Sequence, residues 1–154
     1  MKCVEIKYPG NNKTYWFGVP HALERYVTQT DRVLCGSDEK NSWGVVINVY
    51  RAATPSNITE LTGGRELRMI KGIEYEASIS EFSIPRSVRN SRPSVEKLAN
   101  RIEEYYKGGK FNTNVVFTID SWGKMTLTDG FTAFLVARMF GEPELRGILC
   151  AGQE

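Results

Sequence analysis

The sequence predicts an α+β fold in which a small antiparallel β-barrel is followed by an α+β domain. Short alternating runs with tight turns fill residues 1–50, whereas a helix, a hairpin and a second helix fill residues 94–141. Periodicity is lost after Arg51. We therefore expect one domain at residues 1–73, with a loosely patterned linker from about residue 51, and a second domain at residues 74–154.

The strands of the first domain are short, alternate in polarity and end at turn residues. Val4, Ile6 and Tyr8 alternate with Glu5 and Lys7, and a Pro-Gly-Asn-Asn turn follows. Four short strands joined by tight turns favour a barrel that closes on itself and hides its edges. The predicted strands are Val4–Tyr8, Thr14–Val19, Asp31–Cys35 and Trp43–Tyr50.

The second domain begins with an amphipathic helix. Val95, Leu98 and Ile102 recur at the spacing of one helical face. Residues 114–119 and 125–128 are strand-forming runs on either side of a turn, so they predict a β-hairpin.

The junction Asp129-Gly130 separates this hairpin from a second helix. Residues 131–140 are apolar on nearly all sides, so we expect this helix to be buried. A glycine lets the backbone N–H groups of a helix N-terminus approach an anion closely. Two interpretations follow: the junction binds an anion, with Asp129 as a metal or hydroxyl partner, or Asp129 simply caps the helix.

Two segments, "ISEFSIPRSVRNSRPSVEKLANRIEEY" and "LTDGFTAFLVARMFGEPELRGILC", resemble the ParB/sulfiredoxin-like domain from Glu74 onward. The resemblance implies an Asp-Gly or similar junction that opens a helix whose first turn binds a phosphate or performs chemistry. Ala133 stands where that family usually has an arginine, and the cysteine of sulfiredoxins is missing from this loop. We expect the fold to be kept and the family's chemistry to be lost. The degenerate motif positions are Asp129, Gly130, Thr132 and Ala133.

The pattern "VEIKYPGNNKTYWFGVP … DRVLC … GVVINVYR" is similar to the Src-homology-type small barrels of phage and mobile-element proteins and of primosomal helicases. Thr30 stands where such barrels usually have a glycine before Asp31. The two resemblances together imply a protein of phage or mobile-element type.

The segment "IPRSVRNSRPS" carries three arginines and no acidic residue. On an extended loop, Arg86, Arg89 and Arg92 are spaced to follow a phosphate backbone or to hold one phosphate by forked hydrogen bonds. The alternative is a solvated loop whose arginines form ion pairs. The candidate carboxylates are those of Glu76, Glu81 and Glu96.

A second candidate surface lies on the barrel strands. An exposed Trp16 beside Lys7 and Lys13 is suited to stacking a base or to anchoring a protein partner. The alternative is that the strand aromatics fill the barrel interior and leave one ring at its rim.

Composition and charge exclude several other classes. The hydrophobic fraction of 41% is typical of a globular protein, and the net charge of +2 is too small to indicate nucleic acid by itself. Cys3, Cys35 and Cys150 lack Cys-x-x-Cys spacing, so neither a disulfide framework nor a zinc site is predicted. The single histidine, His21, lies in no catalytic motif. We expect no catalytic residue, cofactor, metal or membrane span, and a reducing cytoplasmic setting.

Two function classes remain. The first is a non-catalytic binding protein of phage or mobile-element type that contacts nucleic acid or a nucleic-acid-handling protein. Inhibitors of host defence are a subset of such proteins. The second is a ParB-like nucleotide-hydrolysing or DNA-cleaving enzyme that uses Asp129 and the arginine segment as an atypical site. The sequence favours binding, and it leaves open the partner's identity, the choice between DNA and RNA, and the oligomeric state.

Overall fold

A computed structural model describes residues 1–37, 40–108 and 115–152 of the chain. The chain divides into two compact units, Met1–Glu74 with the chain end from Cys150, and Tyr75–Leu149. The predicted α+β class is confirmed, since the described residues form eight strands and four α-helices. In the described parts of the chain, no helix has both the length and the apolar character needed to cross a membrane.

The first unit is built on antiparallel strands in the order β2-β1-β4-β3, and β3 pairs next with the start of β5. Its core contains apolar side chains that the register places opposite one another, such as Val4 with Phe17 and Ile6 with Val46. The elements are β1 (Cys3–Lys7), β2 (Thr14–Gly18), a 3-10 turn (His21–Leu23), β3 (Arg32–Ser37), β4 (Lys40–Tyr50), α1 (Pro55–Thr62) and β5 (Gly72–Ser78).

The strand order of the first unit is open, so the predicted closed barrel is not shown. One isolated bridge joins Gly18, at the end of β2, to Met69 ahead of β5. In this bridge the Gly18 N–H donates to the Arg68 carbonyl at 2.8 Å, and the Ile70 N–H donates to the Gly18 carbonyl at 3.0 Å. The predicted linker from residue 51 contains the helix α1, which the sequence patterns did not predict.

The second unit contains the predicted helix, hairpin and second helix. Its strands follow the order β5-β8-β6-β7. The unit boundary falls within β5 and β8. Asn114, the predicted start of the hairpin, lies outside the described residues. The remaining elements are α2 (Arg86–Arg89), α3 (Val95–Gly108), β6 (Val116–Ile119), β7 (Met125–Asp129), α4 (Phe131–Met139) and β8 (Glu144–Ala151).

The second helix, α4, is held by the core of this unit. Four of its nine residues are buried, including Phe134. The Phe82 ring lies between two others, with ring centroids 5.0 Å from Phe117 of β6 and 5.7 Å from Phe134. An all-round apolar sequence therefore gives a buried helix, as predicted.

The outer edge of β7 is paired over a short stretch by the segment that leads to α2. The Ser83 N–H donates to the Met125 carbonyl at 3.0 Å, and the Leu127 N–H donates to the Ser83 carbonyl at 2.9 Å. The bridge is parallel, so the chain from Ser83 runs alongside β7 toward Asp129.

Candidate nucleic-acid interface

The second unit contains a cleft of about 750 Å³ that is lined by two helix N-terminal regions. One wall is the segment that leads into α3 and the first two turns of that helix. The other wall is the end of β7 and the first turn of α4. The charged and polar residues in these walls include Arg92, Ser94, Glu96, Lys97, Arg101, Thr128, Asp129 and Thr132.

The Asp129-Gly130 junction forms the opening of α4. Gly130 is the N-cap residue with φ +91°, and among the described residues no side chain caps this helix. The Asp129 Oδ1 atom accepts a hydrogen bond from the Gly130 N–H at 2.8 Å. Asp129 therefore does not cap α4, and the interpretation of this residue as a simple cap is wrong. The helix presents its N-terminal partial positive charge to the cleft.

Glycine is required at position 130 for two reasons. Its positive φ is disfavoured for residues that carry a Cβ. A Cβ at this position would also lie 2.9 Å from Cγ2 and 3.0 Å from Cα of Val115. The junction is thus fixed by conformation and by packing, which positions the first turn of α4.

The charged side chains that line the cleft nearly balance one another. Arg92, Lys97 and Arg101 are cationic, whereas Glu96 and Asp129 are anionic, so three charges minus two leave one positive charge. Arg92 and Lys97 are exposed. Arg101 is half-buried and its guanidinium donates to Glu104 at 2.8 Å. Arg92 and Lys97 are therefore the side chains best placed to meet an added anion.

The other two predicted arginines, Arg86 and Arg89, lie on the short helix α2 and not on an extended loop. The prediction of an extended segment is wrong at this point, because the N–H groups of Val88 and Arg89 both donate to the Pro85 carbonyl and close a helical turn. The two side chains are exposed and three residues apart, so they lie on one side of the helical turn. They do not line the cleft, whereas Arg92 does.

The alternative that these arginines form ion pairs is not supported. Within the described ranges, none of the three guanidinium groups forms a salt bridge. Glu81, one of the proposed partners, accepts hydrogen bonds from the Tyr75 hydroxyl and from the Ser78 N–H instead. The arginine side chains therefore keep their hydrogen-bonding capacity for a ligand.

The remaining predicted residues, Lys7, Lys13 and Trp16, lie in the first unit. Trp16 is half-buried and faces Glu5 across the β1–β2 ladder. The Glu5 carboxylate accepts hydrogen bonds from Thr14 at 2.7 Å and from Asn48 at 2.9 Å. A carboxylate beside Trp16 lowers the attraction of this surface for phosphate.

Sequence reasoning missed Ser94, Lys97 and Arg101. The Ser94 Oγ accepts the Lys97 N–H at 3.1 Å at the start of α3. Lys97 and Arg101 are four residues apart, which places them on one face of a helix. This spacing was visible in the sequence. The position of this helix face opposite α4 depends on tertiary packing.

The three cysteine thiols show no sign of activation. Burial raises the pKa of the thiols of Cys3 and Cys150, and it raises the pKa of Cys35 to about 11. Thiols with raised pKa values remain protonated at neutral pH and are poor nucleophiles. In the part of the chain that the structure describes, no three His, Cys, Asp or Glu side chains are grouped to hold a metal ion.

Comparison with known proteins gives no family for this chain. No protein-family model matches it, and neither does any curated protein or solved structure. Its function is therefore inferred from the geometry of the second unit.

Proposed function

We propose that the protein is a non-catalytic binding protein that holds nucleic acid by its phosphates at the cleft of the second unit. One observation carries this proposal. The uncapped N-terminus of α4 opens into the same cleft as the exposed cationic side chains of Arg92 and Lys97. A helix N-terminus favours an anion through its free N–H groups and its dipole, and an arginine binds phosphate through paired hydrogen bonds.

The second part of the phosphate-binding surface is α2. Arg86 and Arg89 lie on one side of its single turn and have no ion-pair partner among the described residues. Arg92 follows three residues later at the cleft. Cations spaced along one stretch of chain are suited to successive phosphates of a strand, which is how most non-specific affinity for nucleic acid arises.

We also propose that the second unit is a ParB/sulfiredoxin-like domain and that the first is a small β-barrel, in a protein of phage or mobile-element type. The order of α3, hairpin, α4 and β8 supports the first assignment. The bridge between Gly18 and Met69 supports the second, because it joins the end of β2 to the segment before β5.

A nucleic-acid-handling protein is the alternative partner. Nuclease treatment of a pull-down separates a protein that binds directly from one that is held through nucleic acid.

The proposal is tested with a variant in which Arg86, Arg89 and Arg92 are all replaced by Ala. Binding of a single-stranded and a duplex oligonucleotide is measured by fluorescence anisotropy over a series of salt concentrations. The plot of log K against log salt should become less steep, because three phosphate contacts are lost. The magnitude of its slope should decrease by about 2 for the single strand and by about 2.7 for the duplex.

The matched control removes three exposed arginines from the first unit. The variant Arg51→Ala, Arg65→Ala, Arg68→Ala changes the net charge by the same amount. It should leave the salt slope close to that of the native protein. Equal loss in both triple variants would show that only net charge matters, and an absence of binding by the native protein at low salt would refute the proposal.

The enzyme alternative rests on Asp129, whose exposed carboxylate lines the same cleft. The variant Asp129→Asn separates the two functions. In a binding protein, removal of a negative charge beside the phosphate should tighten binding. In an enzyme that uses this carboxylate, the variant should keep its fold and lose nucleotide hydrolysis or DNA cleavage.

A further inference from the structure

Trp122 is the most exposed large apolar side chain that the structure describes. It lies in the turn that joins β6 to β7, and 93% of its surface is accessible to solvent. Tryptophan is highly buried on average in folded proteins. An indole that is fully exposed at the end of a hairpin contributes almost nothing to the core, so its role lies outside the folding of this unit.

The turn that presents Trp122 is fixed by its own hydrogen bonds. The Asp120 Oδ1 atom accepts the N–H groups of Trp122 and Lys124, each at 2.9 Å. The Gly123 N–H donates to the Asp120 carbonyl at 3.0 Å, and the Asp120 N–H donates to the Lys124 carbonyl at 3.1 Å. Ile119 and Met125, which flank the turn, are buried. Little conformational freedom of the backbone is left to lose when the indole meets a ligand.

The turn that carries Trp122 also carries a cation, Lys124, that is available to a phosphate-bearing ligand. The turn carries one negative charge, on the Asp120 carboxylate that accepts two backbone N–H groups, and one positive charge, on Lys124. Lys124 is exposed and forms no salt bridge with any described residue. Lys124 follows Trp122 by two residues in the same turn, and a cation near an exposed aromatic ring is a combination that binds a phosphate and stacks a base.

Trp122 and the cleft lie at opposite ends of one strand. From Lys124 to Asp129 the chain of β7 advances about 17 Å, at roughly 3.3 Å per residue. The segment from Ser83 runs alongside β7 in the same direction and continues into α2 with Arg86 and Arg89. The arginines of α2 therefore follow the chain toward the Asp129 end of β7 and the indole lies at the other end, so a single strand must span the length of β7 to contact both.

We propose that Trp122 stacks on an unpaired base, so that the preferred ligand is a single-stranded nucleic acid. This inference rests on the proposed function, because the phosphates of the same strand are held at α2 and the cleft. In a duplex the faces of the bases are already covered by their neighbours. An indole on a rigid turn reaches a base face only where the base is free of its own stack.

The test uses a thymidine oligonucleotide of about 12 nucleotides, within the site sizes of single-strand binders. The comparison ligands are an abasic strand of equal length and a duplex of the same length. Trp122→Ala should bind the thymidine strand about 5- to 150-fold more weakly, the range for loss of one base stack. Its affinity for the abasic strand and its salt slope should be unchanged. Trp122→Phe should restore part of the loss.

Tyr106→Ala provides the control, since Tyr106 is a 75% exposed aromatic residue of the same unit and should not alter binding. The inference is overturned if Trp122→Ala binds the thymidine strand like the native protein, or if it loses affinity equally for the abasic strand. If the arginine variant weakens binding while Trp122→Ala does not, the proposed function stands without the base contact. If the native protein binds none of the probes, both proposals fall. Trp122 would then be expected to insert into an apolar pocket of a protein partner.

Discussion

The two helices that line the cleft, α3 and α4, are held in opposite ways. Four of the nine residues of α4 are buried, whereas no residue of the described helix α3 is buried along its 14 residues. On α3, Leu98 and Ile102 are only half-buried, and Val95 is 85% exposed. One wall of the cleft is therefore part of the hydrophobic core, and the other is a charged helix that rests on the surface.

The contrast between the helices suits two different roles in anion binding: fixed backbone donors on α4 and a solvated cation on α3. Burial of α4 fixes the direction of its N-terminal N–H groups, and preorganised donors bind an anion without further ordering. The surface position of α3 leaves Lys97 in solvent, where a cation keeps its charge at little cost in free energy. Substitutions on the two helices should accordingly differ in their effects on stability and on binding.

The greatest loss of stability is expected from Phe134→Ala on α4. This ring is buried and contacts the rings of Phe82 and Phe131. Its removal should lower the free energy of unfolding by about 3–5 kcal/mol, as measured by denaturant titration. The matched variant Phe131→Ala, at a half-buried position one turn earlier, should cost less. Equal losses would mean that burial does not separate these two positions.

The next effect is expected from Gly130→Ala. Positive φ and the contact with Val115 should together lower the free energy of unfolding by about 1–3 kcal/mol. Gly141→Ala is the control, because Gly141 also has a positive φ, but no atom beyond its own residue and its two chain neighbours lies within 4 Å of the position that a Cβ would occupy there. If Gly141→Ala lowers the free energy of unfolding as much as Gly130→Ala does, the contact with Val115 does not contribute to the loss at Gly130.

A smaller effect is expected from Ile102→Ala on α3. A half-buried side chain contributes roughly half of the free energy of its transfer from water. The variant should therefore lower the free energy of unfolding by about 1 kcal/mol. Val95→Ala on the same helix should change stability by less than about 0.5 kcal/mol. A loss at Ile102 that matches the loss at Phe134 would show that α3 belongs to the core.

The least change in stability is expected from Lys97→Ala, within about 0.5 kcal/mol. The same variant should reduce the salt slope of nucleic-acid binding by about 0.7 to 0.9, because one phosphate contact is lost. Lys107→Ala, near the other end of α3, should leave the slope unchanged. An equal change in slope for the two lysine variants would place the ligand along the whole helix.

Local patterns predicted much of the second unit. The all-round apolar run from Phe131 and the turn residues before it were sufficient for α4, because both signals act within a few residues. The helix α1 was missed although Thr54 and Asn57 form a capping box and Pro55 occupies the first turn. No residue of this described helix is buried, so its apolar periodicity was too weak to reveal it.

Long-range features were beyond the sequence patterns. Alternation in β1 and β2 predicts strands, but it does not determine whether the ends of a sheet meet. The arginine segment was predicted as extended because α2 is only four residues long, too short for periodicity. Arg92 and Asp129 were each singled out, yet only tertiary packing brings them to one cleft.

The weak burial of α3 determines how this unit opens in solution. A helix without buried residues can unfold locally at a lower free energy than the whole unit, so its amide hydrogens should exchange faster than those of α4. A phosphate that joins Arg92 and Lys97 to the N-terminus of α4 would bind only the closed arrangement. Such a ligand should slow exchange in α3 in proportion to its concentration above the dissociation constant, while exchange in α4 changes little.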